Sequence, residues 1–147
     1  SEQSKAHSCE RVYQAVVYGR MKEPEGRVDA PIGRNPLERK EMCVTAKNSK
    51  EAVTNYRVLQ EYEGFSHLEL RLETGRTHQI RVHMAYLGHP VAGDPVYGPK
   101  KVIKSLEGQC LHAKSIAFDH PVTGERMRID SELPTYFTDF LRTLRPL

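Results

Sequence analysis

The residues best suited to chemistry in this chain lie in one stretch, E-T-G-R-T-H-Q-I-R-V-H-M-A-Y-L-G-H-P, at positions 73–90. On a helix predicted over 77–87, His78 and Arg81 are three residues apart and share one face. The start of such a helix carries partial positive charge and free backbone N–H groups, which Thr77 is placed to cap. Together with Arg76, this pattern predicts a corner that binds a carboxylate or a phosphate.

Two other interpretations of this stretch stay open from the residues alone. An arginine and a histidine on an amphipathic helix are also typical of a solvated face without a ligand. A metal site has less support, because His78 and His83 are five residues apart and no H-E-x-x-H pattern occurs. A metal-dependent hydrolase using the seven histidines is the corresponding functional alternative.

An apolar stripe must hold this helix against the rest of the fold. Ile80, Met84 and Leu87 recur at helical spacing. Gly88 then stands where a left-handed residue commonly ends a helix, and Pro90 follows it. The pattern predicts a helix of about three turns.

Alternating apolar residues predict strands on both sides of the helix. The predicted strands cover 12–19, 27–30, 41–45, 52–61, 67–72, 110–118 and 126–130, and a closing amphipathic helix covers 136–144. Proline, glycine and basic residues in 20–40 predict loops around at most one short strand. The order of elements indicates an α+β fold, with a mixed, largely antiparallel sheet and flanking helices.

Composition sets the outer limits of what this chain can be. Its 147 residues, 38% of them hydrophobic, suit one compact domain or a piece of one, and no apolar run approaches a membrane span. The three cysteines lie far apart without a C-x-x-C pair, which predicts reduced thiols in a cytoplasmic protein. A net charge of +3, from 22 basic and 19 acidic residues, permits RNA binding without requiring it.

Two motifs give a specific family resemblance. T-G-R-T-H-Q-I-R-V-H, followed by G-H-P-V-A-G-D-P-V-Y-G, resembles the signature of the RluA family of pseudouridine synthases, in the form of its RluD-like members. Agreement extends to V-Y-Q-A-V-V-Y-G, D-A-P-I-G-R, E-A-V-T-N-Y-R-V-L and Q-C-L-H-A-K. The resemblance implies an enzyme that converts uridine to pseudouridine in RNA, more specifically in large-subunit ribosomal RNA, without a cofactor.

The family's nucleophile, an aspartate in an H-R-L-D motif, has no counterpart in this sequence. That motif lies upstream of the matching segments, so the resemblance implies that 1–147 is the second half of a catalytic domain and is inactive alone. The aspartates available as substitutes are Asp29, Asp94, Asp119, Asp130 and Asp139. Asp94 is the best placed, but the family carries the same G-D turn beside its nucleophile, which favours a structural role. A non-catalytic RNA-binding module is the alternative.

The resemblance also assigns roles to three residues. Tyr13 corresponds to the tyrosine that stacks on the extruded base, although the strand alone favours a half-buried core tyrosine. Arg81 corresponds to the arginine that pairs with the catalytic aspartate, so without that partner we expect water, an anion or another chain beside it. Leu111 corresponds to the apolar residue beneath the uracil ring, or else is an ordinary strand leucine.

Further candidates concern the RNA backbone. Arg76, His78 and Gln79 are candidates for positioning their loop or for touching RNA. A basic run after the G-D-P-V-Y-G turn is suited to phosphate contact, although a solvated loop explains it nearly as well. This run consists of Lys100, Lys101 and Lys104.

Overall fold

Two antiparallel sheets organise residues 9–147, the part of the chain that this computed structural model describes. The strands are β1 (Glu10–Tyr18), β2 (Glu25–Asp29), β3 (Ile32–Arg34), β4 (Met42–Val44), β5 (Ser49–Lys50), β6 (Val53–Tyr62), β7 (Phe65–Leu72), β8 (Leu111–Asp119) and β9 (Arg126–Asp130). The helices are α1 (Gln79–Tyr86) and α2 (Thr135–Thr143). The larger sheet has the order β2-β6-β7-β1-β8-β9, and the smaller one β4-β3-β5.

The predicted α+β class is confirmed, and the strand pairings within 9–147 are all antiparallel. The predicted strands agree with the observed ones to within two residues at either end. The prediction of at most one strand in 20–40 was wrong, because both β2 and β3 lie there. Strand β3 is three residues long, too short to show an alternation pattern. Ile32 and Gly33 are buried, and Ile32, at 2% exposure, supplies its apolar side chain to the core.

The two faces of the larger sheet carry separate apolar clusters, because side chains alternate along each strand. One face of β1 and β7 packs against α1, where Ile80 and Met84 join residues such as Leu68 and Leu70. The opposite face is covered in part by α2, whose Phe137 is fully buried in a second cluster. Helix α1 thereby lies on this face of the sheet, next to β4 and β6, and the site is built beside it.

Helix α1 begins at Gln79, two residues later than predicted. The predicted cap by Thr77 was wrong: the N-cap is His78, in a left-handed conformation with φ 56°, and it makes no side-chain capping bond. Leu87, predicted for the apolar stripe, is the C-cap and is 37% exposed. Gly88 has φ 87°, which confirms the predicted left-handed end of the helix.

Burial of His67 makes stability sensitive to mildly acidic pH. Its Nε2 lies 2.7 Å from Oε1 of Gln14 and its ring packs beside Phe137, and burial lowers its pKa to about 4. The unfolded chain takes up this proton near the ordinary value of 6.5, and the folded chain resists it. The stabilising effect is therefore complete above about pH 6.5 and is lost as the pH falls toward 4.

Urea unfolding across this pH range should show that loss, and His67→Gln should make the profile flatter. Some slope should persist in the variant, because burial also lowers the pKa of His83. A variant with the same pH profile as the unchanged chain would contradict the assignment.

Candidate active site

Arg81 pairs with Asp94 in a bidentate ion pair between α1 and the G-D turn. Nε of Arg81 lies 2.8 Å from Oδ2, and Nη2 lies 2.9 Å from Oδ1. The two side chains are 11% and 0% exposed. The expectation that water, an anion or another chain would satisfy Arg81 was therefore wrong. The turn after α1 brings a carboxylate of the same chain beneath the guanidinium.

The Asp94 carboxylate is held by the backbone as well as by Arg81. Its Oδ1 accepts N–H bonds from Val96 at 2.9 Å and Tyr97 at 3.1 Å. Burial raises the pKa of Asp94, but the hydrogen bonds from Arg81 and these two N–H groups outweigh it and keep the pKa below its ordinary value. The hydrogen bond from Arg81 to Asp94 likewise raises the pKa of Arg81 despite burial. The pair is a fixed, ionised unit.

Tyr97 connects this ion pair to the start of α1. Its ring centroid lies 5.1 Å from Cζ of Arg81, a cation–π contact. Its hydroxyl accepts the N–H of Met42 at 2.9 Å and lies 2.8 Å from Nδ1 of His78. Tyr97 thus braces both the guanidinium and the left-handed His78. The tyrosine of G-D-P-V-Y-G was visible in the sequence, but nothing there indicated this role.

Gln79 fixes the loop that precedes α1. Its Nε2 donates to the carbonyl of Val53 and the hydroxyl of Thr54, each at 2.9 Å. Its Oε1 accepts from the hydroxyl of Thr74 at 2.7 Å and the N–H of Arg76 at 2.9 Å. Gln79 is 2% exposed. Of its two predicted roles, this geometry supports positioning the loop, since its amide is already fully hydrogen-bonded.

One cavity of about 250 Å³ brings together Tyr13, Arg81 and Leu111. The antiparallel register of β1 and β8 places Tyr13 opposite Ala113 and Ala15 opposite Leu111, which sets the tyrosine and the leucine side by side. The remaining lining residues are Leu72, Arg76, His78, Gln79, Ile80 and Gln109. An aromatic ring, an aliphatic surface and a cation around such a space suit a planar base removed from its stack.

The basic run lies outside this cavity. Lys100 and Lys101 are exposed and line a neighbouring hollow of about 210 Å³ with the residues of the G-D turn. Nζ of Lys100 lies 3.4 Å from the carbonyl of Pro95. The contact of these lysines with phosphate remains a prediction. Arg76 is half-buried at the cavity edge, and its Nε donates to the carbonyl of Glu51 at 2.7 Å.

Arg11 is a site neighbour that sequence reasoning missed. Its guanidinium lies so close to Gly75 that a Cβ at that position would overlap Nη1. Its Nε is buried without a hydrogen-bond partner among residues 9–147. The available signal was its place two residues before Tyr13, on the same face of β1.

Within residues 9–147, no three His, Cys, Asp or Glu side chains converge as a metal site would require. No helix there is long and apolar enough to cross a bilayer. The three cysteines are free, and burial raises the pKa of Cys110 to about 12.

Comparison with known proteins gives consistent matches. A family model described as RNA pseudouridylate synthase matches residues 1–86. An uncharacterized RNA pseudouridine synthase of Bacillus subtilis, YlyB, is 49% identical over 92% of this chain and 44% of its own length. Ribosomal large subunit pseudouridine synthase D of Pseudomonas aeruginosa is 42% identical over 97% of this chain and 48% of its own. The chain therefore spans less than half the length of these curated relatives.

The solved structures agree with this result. Human RNA pseudouridylate synthase domain containing 1 superposes with a TM-score of 0.80 at 28% identity. The match covers 99% of this chain and 64% of the human one.

Proposed function

We propose, since the chain belongs to the RluA family of RNA pseudouridine synthases, that the protein isomerises uridine to pseudouridine in large-subunit ribosomal RNA. The observation that carries the proposal is the single cavity lined by Tyr13, Arg81 and Leu111. The choice of RNA is supported by the similarity to a ribosomal large subunit synthase. The three free cysteines suit a reducing compartment, and we place the activity in the cytoplasm.

In this proposal the target base leaves its helix and lies between Tyr13 and Leu111. The tyrosine ring replaces the stacking that the base loses, and Leu111 supports its other side. Arg81 holds the attacking carboxylate. Asp94 occupies Nε and Nη2 of the guanidinium, and among residues 9–147 nothing bonds to Nη1. A second carboxylate can pair there.

Asp94 itself is unsuited to attack the nucleotide. Its side chain is fully buried, and both oxygens already accept bonds from Arg81, with two backbone N–H groups also on Oδ1. We therefore assign Asp94 the role of positioning Arg81. The nucleophile is then an aspartate of an H-R-L-D segment outside residues 1–147, which form the second half of the catalytic domain and are inactive alone.

The proposal is tested by comparing the full gene product that contains this chain with residues 1–147 alone. Both are incubated with transcribed ribosomal RNA, and pseudouridine is located by carbodiimide-dependent primer-extension stops. A new stop is expected with the gene product and none with 1–147. No new stop on any ribosomal substrate would contradict the proposed activity, while a stop produced by 1–147 would contradict the missing nucleophile.

A non-catalytic RNA-binding module is the second candidate, and it becomes the better account if the full gene product carries no H-R-L-D segment. It predicts a gene product that binds RNA without isomerising any uridine. If binding uses phosphate contacts, affinity must fall as salt concentration rises. Salt-independent binding would contradict this alternative, and any new pseudouridine stop would exclude it.

A further inference from the structure

A second hollow adjoins the cavity around Tyr13. It has a volume of about 660 Å³ and shares Gln109 and Leu111 with that cavity. Its other principal lining residues are Lys104, Glu107, Gly108, Thr135, Tyr136 and Asp139. A ligand bound in the first cavity therefore has the second hollow directly beside it.

Tyr136 presents a fixed aromatic ring at this hollow. It is 39% exposed, so part of the ring is available to a ligand. Its hydroxyl donates to the carbonyl of Leu111 at 3.2 Å, and its ring lies 6.4 Å from that of the fully buried Phe137. An aromatic side chain held in this way can stack on a base with little loss of conformational freedom.

The charges around the hollow favour binding of a base over binding of a phosphate. Glu107 and Asp139 line it, and Asp139 lies 2.8 Å from Nη1 of Arg142. Carboxylates repel a phosphate but accept hydrogen bonds from the amino groups of a base. Lys104, in the same lining, supplies a positive charge suited to the adjoining phosphate. The hollow therefore suits a nucleobase with its phosphate directed toward Lys104.

We propose that this hollow binds the base of a nucleotide next to the target uridine, by stacking on Tyr136. The inference rests on the proposed function, because it needs a target base in the first cavity. A base held there belongs to an RNA chain that continues into neighbouring nucleotides. Leu111 then has two functions. It lines the cavity for the target base, and its carbonyl accepts the hydrogen bond that fixes the Tyr136 ring against the neighbouring base.

The test measures binding of the full gene product to a short single-stranded RNA with one uridine between purines. Matched RNAs carry an abasic nucleotide on the 5′ or the 3′ side of the uridine. The variants are Tyr136→Ala, Tyr136→Phe, which keeps the ring, and Tyr86→Ala as control. Tyr86 is 59% exposed on α1 and lines neither hollow. Fluorescence anisotropy gives each dissociation constant, and circular dichroism confirms that each variant is folded.

Tyr136→Ala should weaken binding of the intact RNA roughly 10-fold, as loss of one base stack does. Tyr136→Phe should lose much less, because it keeps the ring and gives up only the hydrogen bond to Leu111, and Tyr86→Ala should bind normally. With the unchanged protein, an abasic nucleotide on one side of the uridine should weaken binding as much as Tyr136→Ala weakens binding of the intact RNA. With Tyr136→Ala, the same abasic nucleotide should cause no further loss. The inference would be overturned if Tyr136→Ala bound the intact RNA as tightly as the unchanged protein does. It would also be overturned if the losses of binding free energy from Tyr136→Ala and from the abasic nucleotide were fully additive. This test measures binding and not catalysis, so its failure would leave the proposed pseudouridine synthase activity untouched. Conversely, if Tyr136 and the neighbouring base prove coupled in binding but no primer-extension stop is found, only the proposed activity would be overturned.

Discussion

Asp94→Ala should lower the free energy of unfolding by about 3–5 kcal/mol, because it leaves the Arg81 guanidinium buried without its carboxylate. The same change removes the acceptor for the N–H groups of Val96 and Tyr97, so the turn after α1 loses its anchor as well. Urea unfolding at neutral pH measures the effect. Breaking any of the other ion pairs in the described residues should cost less, since those pairs are more exposed.

The double variant Arg81→Met with Asp94→Leu is the matched control. It replaces the pair by apolar side chains of similar size, which proteins often tolerate, so much of the lost stability should return. A double variant as unstable as Asp94→Ala would mean that the loss of the turn's anchor, and not the unpaired cation, dominates.

The ion pair between Arg81 and Asp94 should also weaken in acid. The lowered pKa of Asp94 gives a stabilisation that is complete above its ordinary value of 3.8 and is lost as the pH falls below it.

The sheet could be predicted from the sequence because its long strands carry the alternation that burial on one face requires. Strand β7 shows this clearly, with Leu68 and Leu70 fully buried and Glu69 between them on the other face. The smaller sheet could not be predicted in the same way. Strands β3 and β5 have three and two residues, too few to show a period. Their pairing requires residues 42–50 to fold back so that β4 and β5 lie on either side of β3.

The site was only partly predictable, because its contacts cross between elements. The family resemblance selected Tyr13, Arg81 and Leu111, and the register of β1 with β8 explains why two of them are neighbours. The partner of Arg81 was missed because Asp94 lies thirteen residues away, beyond the helix and a turn. The sequence predicts Thr77 as the cap, but the buried amide of Gln79 holds the loop instead.

Arg81→Lys should lower the rate of pseudouridine formation by the full gene product on the order of 10²–10³-fold, the loss typical for a preorganised charge contact. A lysine is a single point charge on a flexible stem. It can neutralise Asp94, but it cannot bind that carboxylate through two nitrogens and offer a third to the attacking aspartate. Single-turnover rates at saturating RNA measure the effect separately from binding.

Two further measurements separate this role from a merely structural one. RNA affinity should change little in Arg81→Lys, and the unfolding midpoint should fall much less than in Asp94→Ala, since the buried positive charge is kept. Arg20→Lys is the matched control, because Arg20 is 73% exposed in a surface ion pair with Glu61, and it should leave the rate unchanged. A normal rate in Arg81→Lys would show that only the charge is needed. A rate that fell in step with stability would show that Arg81 serves the fold and not the nucleophile.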